Sequence, residues 1–136
     1  MASIHRDISI GAPAAALWDA MRDPAALHTR LVPGFISHCE MEGPGARKIR
    51  LVNGIETREL IVTIDDERRR IVWSVRSERL THHNASTQVF DEDGGGCRVT
   101  WIADLQPDAM APAITAMVEA ALQAMKAHAE QVAAAG

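Results

Sequence analysis

Residues 110–132 constrain this chain most. Met110, Ile114, Met117, Val118, Ala121, Leu122, Met125 and Ala129 recur at steps of three and four, which puts them on one stripe of a single long helix. Such a helix would span about 35 Å at 1.5 Å per residue. Pro112 is acceptable there only in the first turn. No other helical stretch in the chain has comparable length. The stripe therefore needs a broad apolar surface of another kind, and a curved sheet wrapped around the helix supplies one.

The rest of the sequence provides that sheet. "SIHRDISI" alternates, with Ile4, Arg6, Ile8 and Ile10 on one face and His5, Asp7 and Ser9 on the other. "GAPAAALWDAMRD" then changes period: Pro13 suits a first helical turn, and Leu17, Trp18 and Met21 share one helix face. "DPAALHTRL" restarts a second short helix, with Asp23 as its cap and Pro24 in its first turn. From Phe35 to about Leu105 the pattern is strand throughout. "RKIRLV" meets "IETRELIVTID" across Asn53-Gly54, a strong short hairpin signal. Ile71, Trp73 and Val75 alternate with Val72, Ser74 and Arg76, and Val99, Trp101, Ala103 and Leu105 lie opposite Arg98, Thr100, Ile102 and Asp104. The order is one strand, two short helices, about six antiparallel strands and the long helix. That is an α+β chain with a sheet of about seven strands, read as one domain over residues 1–136. The Ala-rich tail after Val132 is expected to fray.

Composition bears on the interior. Three Trp, two Phe and no Tyr stand among many alanines, which favours an unfilled interior over a solid core. The net charge of −4 gives no basic stripe for nucleic acid. Arg68 to Arg70 follow Asp65, Asp66 and Glu67, and that mixed run reads as a solvated turn. No stretch of 18 apolar residues occurs, and "MASIHRDISI" has no apolar run long enough for a signal peptide, so neither membrane insertion nor secretion is expected. The expected setting is cytoplasmic, with Cys39 and Cys97 as reduced thiols and the "NAS" sequon at Asn84 unused.

The order of elements resembles the SRPBCC superfamily, the START, polyketide-cyclase and birch-pollen-allergen fold, also called helix-grip. The pieces that carry the resemblance are "I.APAAALWDAMRDPAAL", the strand and turn from Arg58 and Glu59 to "DDERR", "WSV", "HHNASTQVF", and "CRVTWIADLQP" before the long helix. They span nearly the whole chain. The resemblance is strongest to bacterial members described as polyketide cyclase/dehydrase or lipid-transport proteins. It implies a cavity between sheet and helix for a small hydrophobic molecule, without naming a reaction. It also implies that the loop before the "HHNASTQVF" strand borders the mouth, which makes Leu80 and His83 mouth residues. A carboxylate in the strand of Glu59 faces the cavity in several relatives.

The residues themselves leave several roles open. His82 and His83 are adjacent in a strand and point to opposite faces, so they cannot share one ion. No HxH, HExxH or CxxC occurs, and neither a metal nor a cofactor is expected. One histidine faces solvent and the other lines the cavity rim. If Glu59 points inward, strand parity takes Thr57, Ile61 and Thr63 with it. The competing register takes Arg58, Leu60, Val62 and Ile64 inward, and a bulge would satisfy both. An interior Glu59 would have its pKa raised unless Arg58 or Arg47 pairs with it. It could then be a general base, a ligand anchor or half of a structural ion pair. Trp73 and Trp101 are core residues, an aromatic wall, or both. Val75, Ala85, Thr87, Met110, Ile114 and Met117 complete the candidate ligand-binding set, with Glu59 and His83 as weak catalytic candidates. No nucleophile is supported, since GxSxG is absent and Cys39 and Cys97 lack a neighbouring base, and Gly94 to Gly96 precede no helix and so do not read as a phosphate loop. Three readings follow: a binding or transport module, a cyclase or aromatase moving a proton with Glu59 or His83, and a protein-interaction domain with a filled core. The partner expected is a small hydrophobic molecule, and the oligomeric state expected is a monomer or weak homodimer.

Overall fold

The structure, a computed structural model, describes residues 1–136. Seven strands form one antiparallel sheet: β1 (Ala2–Ile10), β2 (Ile36–Met41), β3 (Ala46–Leu51), β4 (Glu56–Asp65), β5 (Arg70–Arg76), β6 (His82–Asp91) and β7 (Cys97–Gln106). Their spatial order is β1-β7-β6-β5-β4-β3-β2, so only the first strand leaves sequence order. Helix α1 (Ala14–Met21) crosses from β1 toward β2, and helix α2 (Ala111–Ala135) lies along the sheet.

The apolar residues of alternate parity meet in rows across the concave face. One row runs Ile61, Trp73, Ala85, Ala103 and Ile4, each opposite the next on neighbouring strands. Val118, Ala121, Leu122 and Met125 of α2 are buried against this face. Met110, Ile114, Met117 and Ala129 are only partly buried. Polar contacts fix α2 along the edge strand: Arg6 donates to Glu119 at 3.2 Å, and Lys126 donates to the Ser9 carbonyl at 2.7 Å. The Gly11 N–H donates to Glu130 at 2.7 Å. Arg6 thus keeps the face shared with Ile4 but remains exposed, because it reaches sideways to the helix.

Three local expectations change. The second helix does not start at Asp23; a single π turn covers Leu27–Leu31, closed by Val32 N–H to the Leu27 carbonyl at 2.8 Å. The Pro24 carbonyl, which a helix would use internally, accepts instead from the Arg47 guanidinium at 3.2 Å and the Cys39 thiol at 3.5 Å. Asp23 is taken by Arg30. Second, α2 continues through the Ala-rich tail to Ala135. Alanine is the best helix former, and the helix is already nucleated there.

The third change concerns β4. A bulge between Ile61 and Thr63 switches its parity. Glu59 and Ile61 face inward before it and Ile64 after it, while Thr63 is exposed. Both sequence registers are therefore used in turn, one on each side of Val62.

Candidate functional site

A cavity of about 430 Å³ lies between the sheet, α2 and the segment Leu27 to Ile36. Of its 29 lining residues, 21 are hydrophobic, so any occupant meets mainly carbon. Trp73 and Trp101 form one wall, edge to face with ring centroids 5.4 Å apart at 74°. Met110, just before α2, and Ile114 and Met117 on it lie on the other side. These three keep partial exposure, whereas Val118, Ala121 and Met125, which also border the cavity, are at most 3% exposed.

Eight lining residues are not hydrophobic, and three of the buried ones, Arg47, Glu59 and His83, fall at two points on one transverse row. Arg47 is opposite Glu59, and Glu59 is opposite Val75. The Arg47 Nε–H donates to Glu59 Oε1 at 2.8 Å, with side-chain exposures of 4% and 9%. Arg47, rather than Arg58, is thus the partner; Arg58 turns outward to Glu42 at 2.9 Å. The carboxylate carries its counterion into a low-dielectric place, which is the condition for burying it charged. Thr57, two residues along on the same face, has a buried hydroxyl without a protein partner.

The second polar point is His83. Backbone pairing of β5 with β6 ends at Trp73 and Ala85, although both strands run further toward the loop. Two residues on, the Val75 N–H donates to His83 Nδ1 at 3.0 Å, and the Ser74 hydroxyl donates to the His83 carbonyl. The imidazole has replaced a backbone acceptor where the strands part. Burial, and secondarily the neighbouring His82, push the His83 pKa down to about 4, so the ring is neutral at physiological pH. His82 faces out and His83 is buried, as strand parity requires.

Of the eleven residues singled out in the sequence, ten border this space: Glu59, Trp73, Val75, Leu80, His83 and Thr87 from the sheet and its loop, and Trp101, Met110, Ile114 and Met117 beyond. Ala85 does not; it is 1% exposed and sits in the floor beneath them. Thr87 is engaged with α1, its hydroxyl donating to the Met21 sulfur at 3.2 Å. Leu27, Leu31, Phe35, Ile49 and Leu51 also line the cavity and were not singled out. Parity alone could have found Ile49 and Leu51, since they share the face of Arg47 on β3 and alternate with Lys48 and Arg50. Leu27 and Leu31 carried a weaker signal, a spacing of four within a segment read as an ordinary helix.

No three His, Cys, Asp or Glu side chains stand close enough together to hold a metal ion. Cys39 and Cys97 are free and buried, and burial pushes both thiols up, away from the reactive thiolate. No helix is long and apolar enough to cross a membrane.

A seven-stranded sheet gripping one long helix around an apolar cavity defines the helix-grip class. The chain belongs to the family described as polyketide cyclase / dehydrase and lipid transport, whose model matches residues 1–130. Among solved structures, an uncharacterised protein from Bacillus thuringiensis is similar at a TM-score of 0.85 and 18% identity, over 96% of this chain and 99% of that one. A protein from Thermobifida fusca is similar at a TM-score of 0.74 and 26% identity, over 96% and 91% of the two chains. The di-domain ARO/CYC BexL of the BE-7585A biosynthetic pathway is similar at a TM-score of 0.82 and 15% identity; the match covers 96% of this chain and 47% of BexL. No functionally curated protein matches the sequence.

Proposed function

We infer that this protein binds a small, mainly apolar and flat ligand in the cavity between the sheet and the N-terminal half of α2, as a carrier or binding module. The observation that carries the reading is the cavity itself: about 430 Å³, within the usual range for small-molecule sites, with 21 hydrophobic lining residues of 29. Trp73 and Trp101 offer a stacking wall. The Arg47–Glu59 pair and the partnerless Thr57 hydroxyl offer a polar end. Glu59 is already committed to Arg47, which favours the role of anchor over that of general base. A purely protein-binding domain would have little use for an unfilled interior.

An enzymatic reading of the cyclase or aromatase type has specific support in the likeness to BexL and in a second protonatable group, His83, on the same face as Glu59. It needs a chain of reactive carbonyls held within about 3 Å of the proton-transferring group. Binding must precede either role, so binding is the property to test. A naphthalene-type fluorescent probe should saturate one site with low-micromolar affinity, about −8 kcal/mol. Trp73→Leu should weaken it while the chain stays folded. Equal binding by both proteins, or none to the folded parent, contradicts the reading.

A further inference from the structure

We propose that His83 is a specificity-determining hydrogen-bond donor, whose Nε2–H reads an acceptor oxygen on the ligand and selects flat apolar molecules bearing a ketone- or quinone-type carbonyl. This rests on the ligand-binding reading above.

The tautomer follows from the backbone. His83 Nδ1 accepts the Val75 N–H at 3.0 Å. A neutral imidazole accepting at Nδ1 carries its proton on Nε2. That hydrogen bond is the only one the side chain makes, so Nε2–H has no protein acceptor. The Ser74 hydroxyl on the His83 carbonyl holds the backbone beneath the ring in place. His83 is 7% exposed and, like Val75 and Leu80, borders both the cavity and a second, more polar cleft.

The charged groups nearby leave the ring neutral. On its own strand, His82 points to the opposite face. On β7 its neighbour is the apolar Leu105. On β5, Arg76 follows Val75, and in the loop beyond it Glu78 and Arg79 border the same spaces as His83; all three are exposed. On β4, Glu59 is held by Arg47 and Arg58 by Glu42. The nearest interior carboxylate is thus neutralised, and none pairs with the imidazole. A neutral imidazole in such a site donates to a carbonyl without bringing a charge, a device known from enzyme sites that polarise carbonyls.

Position adds a second element of selection. Glu59 and His83 lie on the same row with Val75 between them, two strand spacings apart, or about 9–10 Å between backbones. A two-ring ligand resting on Val75 and Trp73 would present one end to the Arg47–Glu59 pair and the other to His83.

Tryptophan-fluorescence titrations with 2-acetylnaphthalene and 2-isopropenylnaphthalene test this, because the second compound replaces C=O by C=CH2 in the same shape. The parent should prefer the ketone about tenfold, equivalent to ~1.4 kcal/mol. In His83→Asn the side-chain oxygen can still accept from the Val75 N–H, but the donor at the reach of Nε2 is gone. The preference should fall to about unity, through weaker binding of the ketone. His83→Gln keeps a donor at that reach and should retain part of the preference. Equal binding of both compounds by the parent, or a full tenfold preference in His83→Asn, overturns the role of His83 alone. Failure of the folded parent to bind either compound overturns the cavity reading and this proposal together. Imidazole 15N spectra of the parent near neutral pH should show the Nε2–H tautomer, and an Nδ1–H tautomer would overturn the proposal whatever the variants do.

Discussion

Arg47 and Glu59 stand directly opposite each other on β3 and β4, and their side chains meet at 2.8 Å with almost no exposure to solvent. The guanidinium also donates to the Pro24 carbonyl at 3.2 Å, so one residue ties the sheet to the segment that closes the cavity. Removing the cation would leave a buried carboxylate unpaired. Arg47→Met should therefore destabilise the fold by about 3–5 kcal/mol in denaturant melts. The double variant Arg47→Met/Glu59→Leu should be much less damaged than the single one, since no charge is left uncompensated. A loss below about 1 kcal/mol for Arg47→Met would mean that the pair is open to water.

The depressed pKa of His83 gives stability a definite pH dependence. In the unfolded chain the imidazole takes its proton as the pH falls through 6.5, whereas in the folded chain burial delays this to about 4. Between those values the unfolded state binds more protons, so this group's contribution to stability is complete above the upper value and shrinks as the pH drops. The parent should lose more stability between about pH 7 and about pH 4.5 than His83→Asn does, as read from urea midpoints. Equal slopes for the two proteins would show that the imidazole is hydrated.

The long helix should respond differently along its length. Both methionines border the cavity, but Met125 is 1% exposed and packed in the core whereas Met117 is only partly buried. Met125→Ala removes packed atoms and should cost about 2–5 kcal/mol. Met117→Ala, which enlarges a space already present, should cost about 1 kcal/mol or less and mainly alter probe affinity. Similar thermal shifts for both variants would place Met117 in a solid core.

Much of this architecture is legible in the sequence because it rests on period and parity. The three- and four-residue steps of α2, the opposite faces of His82 and His83, and the shared face of Trp73 and Trp101 all follow from backbone geometry. Asn53-Gly54 marks its hairpin because the turn needs the left-handed Gly54, at φ +91°, and the Asn53 side chain accepts from the Ile55 N–H at 3.0 Å. What parity cannot supply is a change of parity. The Val62 bulge lets polar Glu59 and apolar Ile64 both face inward, a choice made by the whole sheet. The Asp23-Pro24 helix start failed for a related reason. Its signals are local, whereas Arg47, Cys39 and Arg30 claim those groups from other elements. His83 Nδ1 accepting from Val75 N–H is likewise visible only once β5 and β6 are seen to part.

The central claim is that this fold encloses a ligand. Native mass spectrometry of the protein purified from its source cells tests that most directly, with a parallel sample loaded with the naphthalene-type probe to show that a cavity complex survives transfer to the gas phase. One small organic molecule should be retained per chain, displaced when the probe is added and reduced in Trp73→Leu. A spectrum of bare chain alone, under conditions that preserve the probe complex, would contradict it.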